Sequence, residues 1–104
     1  MGEIIIYVTA SREDEASKIA RALIESRLAA CVNIISNIRS IYRWEGKVED
    51  DNESLMIIKT KDSKFDEVQK KVEELHSYSV PEVIAFPIEK ASEKYLAWLL
   101  QCLN

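Results

Sequence analysis

The sequence predicts an α+β fold of order β α β β α β, followed by one more helix. Three observations predict it. Two stretches of helical periodicity, each opened by a Ser with an acid three residues on, separate runs of β-branched residues. From about Ala30 to Thr60 the chain carries no Pro and a single Gly, Gly46, so one long hairpin fills that stretch. Pro87 falls inside the last apolar run, which suits an edge strand or a strand end.

Glu3 to Thr9 is apolar and β-branched and reads as a central strand. Ser11 then offers an N-cap, with Asp14 completing a capping box and Glu13, Asp14 and Glu15 in the first turn. The helix is expected to run to about Arg27. Its stripe, Ala16, Ile19, Ala20, Leu23 and Ile24, has the spacing of one face packing on a sheet. The second strand runs from Cys31 to Trp44 with a bulge or bend at Ser36 and Asn37. Tyr42-Arg43-Trp44-Glu45-Gly46-Lys47 makes the hairpin tip. The third strand starts with Glu49, Asp50, Asp51 and Glu53, read as a solvated face, and ends in a buried Leu55-Met56-Ile57-Ile58.

Ser63 and Asp66 repeat the capping box for a second helix to about Leu75, with Phe65, Val68, Val72 and Leu75 on one face. Asp66 with Lys70 and Glu67 with Lys71 are acid-first pairs at i, i+4. His76 to Pro81 is a loop, because Pro81 biases Val80 away from helix. Val83 to Ile88 forms the last strand. Ser92 caps a final helix with Tyr95, Leu96, Leu99, Leu100 and Leu103 along one side.

Two helices crossing one face of a four-stranded antiparallel sheet make the ferredoxin-like split βαβ arrangement, here a single domain over residues 1–104. Ala30 to Trp44, if fully extended, spans roughly 50 Å at about 3.3 Å per residue. So long a hairpin overhangs a small domain. The sheet face away from the helices also leaves Val, Ile and aromatic side chains uncovered, so self-association is expected.

Lys and Arg total 14 against 18 Asp and Glu, a net charge of -4, which argues against nucleic acid as partner. A cation or a small molecule fits better. The apolar run Ile4 to Val8 follows the N-terminus without a basic segment or cleavage site, so no secretory leader is read there. No stretch reaches transmembrane length, and the expected location is the cytoplasm. Cys31 and Cys102 have no zinc spacing and read as small buried hydrophobes.

The chain resembles the CutA divalent-cation-tolerance family. The match is carried by Arg27-Leu28-Ala29-Ala30-Cys31-Val32-Asn33, Tyr42-Arg43-Trp44-Glu45-Gly46-Lys47, Lys59-Thr60, His76-Ser77-Tyr78-Ser79-Val80-Pro81-Glu82 and Tyr95-Leu96-Ala97-Trp98-Leu99. The resemblance implies a ferredoxin-like homotrimer, similar in architecture to PII signalling proteins, with copper or other divalent cations as ligands. Some family members carry a Cys at the end of the first strand and a second His before the loop. Here those positions are Val8 and Leu75, leaving His76 as the ligand of that set.

His76, just past a helix, reads either as a C-terminal cap or as a metal ligand. Cys31 reads as core or interface, with metal or redox use as the alternative. Tyr42, Trp44 and Trp98 suit subunit packing or the wall of a ligand pocket. Lys59 and Glu82 are expected beside loops, either paired with each other or contacting a ligand. The expected function is a non-enzymatic trimer for divalent-cation tolerance that binds copper or a related cation. The alternative is a PII-like sensor of a small anionic metabolite held in clefts between subunits, with Lys59 as the anion contact. No catalytic triad is suggested, and no Gly-rich phosphate loop is present.

Overall fold

A computed structural model describes residues 2–104; Met1, the first residue of the expected domain, lies outside them. The elements are β1 (Glu3–Ala10), α1 (Glu13–Glu25), β2 (Cys31–Trp44), β3 (Lys47–Lys61), α2 (Phe65–Leu75), β4 (Ile84–Pro87) and α3 (Glu93–Cys102), with a single 3-10 turn over Asp62–Lys64. The strands form one antiparallel sheet in the order β2-β3-β1-β4. This is the expected α+β architecture.

Alternation along the strands sets the two faces of the sheet. Ile4, Ile6 and Val8 of β1 and Met56 and Ile58 of β3 are buried with Ala16, Ile19, Ala20 and Leu23 of α1 and Val68 and Val72 of α2. Burial of those apolar side chains supplies the main stabilisation, at about 1.5–3 kcal/mol for each large one. Ile24, expected in the stripe, is 41% exposed, because the helix rotates it off the sheet. The opposite face carries Ile5, Tyr7, Leu55, Ile57 and Lys59, and α3 crosses part of it. Leu99 and Leu103 are buried there, outside the main core, while Leu96 is half-buried and Tyr95 and Leu100 point outward.

The helix starts differ from both expected capping boxes. The N-cap of α1 is Arg12, one residue later than Ser11, and its side chain makes no capping bond. Glu15, not Asp14, reaches back to accept the Ser11 N–H at 3.3 Å, because Asp14 is held by Arg12 at 2.5 Å. At α2, Ser63 lies inside the 3-10 turn and Lys64 takes the cap position without a side-chain bond. Ser92 does cap α3, accepting the Tyr95 N–H at 3.2 Å. On α2 the expected acid-first pairs are replaced by Lys71 with Glu74 at 3.8 Å.

α1 ends at Glu25, two residues before the expected Arg27, because Arg27 adopts φ 61. The Leu28 N–H donates to the Leu23 carbonyl at 2.9 Å and the Arg27 N–H to Ile24 at 3.1 Å, a Schellman closure with Arg where Gly is usual. The buried Thr60 hydroxyl donates to the Leu28 carbonyl at 2.7 Å and so ties that closure to β3.

The long hairpin is present. β2 and β3 pair from Cys31↔Lys59 out to Trp44↔Lys47, with an irregularity between Ile35 and Ile38 where the bulge was expected. Glu45 at φ 50 and Gly46 at φ 81 give the positive-φ pair that a two-residue hairpin loop needs. β1 reaches along β3 only as far as Ser54, so beyond it, among the described residues, β2 and β3 have only each other as strand partners. This overhang makes the molecule 44 Å long and 22 Å thick. Its radius of gyration is 14.1 Å, against about 13 Å for a compact chain of this length. Among the described residues, no helix is long and apolar enough to cross a membrane.

Candidate functional site

An open groove of about 760 Å³ lies where the hairpin leaves the body of the domain, lined among others by Thr9, Tyr42, Trp44, Glu53, Tyr78 and Glu82. Its position follows from register. Glu53 pairs with Ile38 just past the bulge and next to Ser54, the last residue of β3 that β1 reaches. The sequence reading of Glu53 as solvated is corrected here, since it is only 7% exposed while Asp50 and Asp51 are exposed. Tyr78 folds over it and donates its hydroxyl to Glu53 Oε2 at 2.7 Å.

Three contacts hold the loop that carries Tyr78. His76 Nε2 lies 2.7 Å from the Thr9 carbonyl, and His76 Nδ1 accepts the Tyr78 N–H at 3.1 Å. Glu15 Oε2 accepts the Ser77 N–H at 2.7 Å. An imidazole whose Nδ1 accepts a backbone N–H carries its proton on Nε2, which donates to Thr9. The ring of His76 therefore pins the loop to β1. Only its backbone N–H, donating to Val72, closes the helix, so the expected side-chain cap is not made.

Electrostatics sharpen the groove. Burial, then the Glu53 bond, pushes the Tyr78 hydroxyl far above the usual tyrosine range, so it remains a donor. Tyr42 donates to Asp51 at 2.8 Å, and that bond, ahead of burial and the neighbouring acids, raises its pKa to about 12. Burial and then the charge of Glu53 push the Glu82 carboxyl upward. Arg39, also on the lining, is paired with Asp50 through bonds of 2.9 and 2.6 Å. Two carboxylates, Glu53 and Glu82, thus lie on the lining, and its guanidinium, Arg39, is already matched by Asp50.

The groove brings together Tyr42, Trp44 and Glu82 of the sequence-predicted residues. Lys59, Cys31 and Trp98 lie elsewhere. Lys59 donates to Asn33 Oδ1 at 2.7 Å and sits 6.0 Å from the Tyr95 ring centre, and Cys31 Sγ is 3.8 Å from the same Asn33 oxygen. Trp98 is exposed and tilts against Tyr95 at 5.4 Å. The expected ion pair between Lys59 and Glu82 does not form, because Lys59 lies inside β3 and turns toward Asn33 and α3. Sequence reasoning missed Glu53 and Tyr78 as site residues. The available signal was an acid at the junction between an exposed arm and a buried strand end.

A divalent metal finds no ready donor set within one chain. Among the described residues, no three His, Cys, Asp or Glu side chains converge, and both nitrogens of His76 are engaged. Val8, fully buried, and Leu75, packed against the core, are hydrocarbon side chains, so neither family position offers a donor.

Residues 4–102 match the family described as "CutA1 divalent ion tolerance protein". The "Divalent-cation tolerance protein CutA" of Thermus thermophilus is 45% identical over 97 residues, covering 93% of this chain and 94% of that one. "Protein CutA" of Homo sapiens is 50% identical over 95 residues, covering 91% of this chain. The chain spans about half the length of several such relatives, 53% for both the human protein and the "Protein CutA, chloroplastic" of Arabidopsis thaliana. The solved structure of the periplasmic divalent cation tolerance protein CutA from Archaeoglobus fulgidus superposes with a TM-score of 0.95 at 43% identity, covering 98% of this chain and 99% of that one. CutA1 from Oryza sativa gives 0.95 at 45%, covering 98% and 94%. The family match over residues 4–102, the sequence identities and the superpositions agree, and the chain belongs to the CutA1 divalent ion tolerance family.

Proposed function

We propose that this protein is a non-catalytic, homotrimeric cation-binding module serving divalent-cation tolerance, with the groove at the base of the hairpin as its ligand site. The observation that carries the reading is Glu53, a nearly buried carboxylate that among the described residues meets only a tyrosine hydroxyl and opens on an acidic groove. A buried charge normally requires compensation, and a bound cation supplies it. The trimer is supported by the ribbon beyond Ser54, since a two-stranded hairpin alone is marginal in water and this one exposes Ile41, Trp44 and Val48. Copper is the cation that the family likeness suggests. At His76 it would have to displace the Thr9 or Tyr78 contact and recruit donors from a neighbouring subunit.

Sedimentation equilibrium combined with Cu(II) calorimetry on the parent, His76→Ala and Glu53→Gln tests this. A trimer whose cation binding survives His76→Ala and fails in Glu53→Gln is the expected result. A monomer, or binding lost only with His76→Ala, would overturn the assembly or the site respectively.

A metabolite sensor remains a second reading because Lys59 has no carboxylate partner among the described residues and donates only to the neutral Asn33. Its discriminator is a thermal-shift screen with nucleotides and organic acids, in which a ligand of the native state raises Tm for the parent and not for Lys59→Ala.

A further inference from the structure

We infer that the groove recognises an organic ammonium ion, an amine or methylated amine with an apolar body, in preference to a bare metal ion. This rests on the reading of the groove as a cation site and names the kind of cation. Trp44, Tyr42 and Tyr78 line the groove together with Glu53 and Glu82. Aromatic faces beside carboxylates attract alkylammonium groups through the ring quadrupole, and Trp is the strongest such face. The volume, about 760 Å³, lies in the range of small-molecule sites.

The polar groups left unused point the same way. Glu53 is 7% exposed, its Oε2 is taken by the Tyr78 hydroxyl, and its other oxygen has no partner within the described chain. That oxygen can accept an N–H from an ammonium head. A hard metal ion instead needs six or more oxygen donors, or near-octahedral geometry with several retained waters. The groove offers few. The Tyr42 hydroxyl is committed to Asp51, and Arg39 to Asp50. Charge complementarity thus selects a cation, and the aromatic walls select one with carbon around its charge.

The test is calorimetric titration of the full chain with phenethylammonium chloride, alongside phenylacetate, Mn(II) and Cu(II). Phenethylammonium is expected to bind, with affinity reduced at least tenfold in Glu53→Gln and in Trp44→Ala and unchanged in Glu67→Gln. Trp44 is on the exposed hairpin, so its variant tests the site even where Glu53→Gln unfolds. Phenylacetate binding as tightly as phenethylammonium, or Trp44→Ala binding like the parent, would overturn the inference. So would Mn(II) or Cu(II) binding that Glu53→Gln abolishes in the absence of any phenethylammonium binding; that outcome leaves the cation module intact and replaces its ligand. Sedimentation on the same samples reports the trimer separately.

Discussion

Tyr78 and Glu53 illustrate how one hydroxyl can decide the fate of a buried charge. Removing it in Tyr78→Phe takes from Glu53 Oε2 its one side-chain donor among the described residues. The expected destabilisation is about 1–3 kcal/mol, read by urea unfolding. Thr60→Val makes a parallel case at the buried bond to Leu28, also about 1–3 kcal/mol, because the Leu28 carbonyl loses its side-chain partner. His76→Ala is expected to loosen residues 76–78, since it removes the contacts to Thr9 and Tyr78 together, and faster amide exchange at Tyr78 would report it. Glu15 gives the loop a pH dependence. Burial alone would raise its carboxyl, but the Ser77 bonds, then Ser11 and His76, outweigh that and the net shift is downward. A lowered folded-state pKa means the contribution is complete above the ordinary glutamate value and is lost as pH falls through the folded one. Loop protection is therefore expected to decline as pH falls below the ordinary glutamate value of 4.5, and Glu15→Gln to flatten that decline.

The elements show which local signals the sequence carried plainly. The apolar runs of β1 and the end of β3, the stripes of α1 and α2, the Ser92 cap and the bulge before Ile38 are all readable, because each follows from a few adjacent residues. The capping boxes at Ser11 and Ser63 were not, because competing local structure redirects them: Arg12 captures Asp14 two residues on, and the 3-10 turn after β3 absorbs Ser63. The site was half legible. Tyr42, Trp44 and Glu82 stand out as an aromatic tip and a loop acid. Glu53 did not, since its burial depends on a loop arriving from 25 residues further along the chain. The hairpin turn offers its own test. Glu45 occupies a positive-φ position where Asn is preferred, so Glu45→Asn is expected to stabilise the hairpin by about 0.5–1 kcal/mol without altering the fold, measured as a higher unfolding midpoint.

At the scale of the whole molecule, a ferredoxin-like body and a projecting ribbon have different sources of support. The body has two helices on one face and α3 on the other. The ribbon beyond Ser54 has neither, and its apolar side chains Ile41, Trp44 and Val48 face outward. Cutting the hairpin back to the level of Ser54 is expected to leave the body folded by circular dichroism while shifting sedimentation toward the monomer. Retention of a trimer by that variant would place the subunit contacts elsewhere on the sheet.

The ribbon also makes local order a matter of abundance. In the proposed trimer the ribbon is protected by mass action, so its amides are expected to exchange quickly in dilute solution and slowly as concentration rises, while those of Ile6 and Ile58 change little. Because Tyr42 and Trp44 belong to that ribbon, the proposed trimer would hold their side of the groove in place only when enough of the protein is present. Ligand uptake would then begin above a threshold of expression instead of in proportion to it.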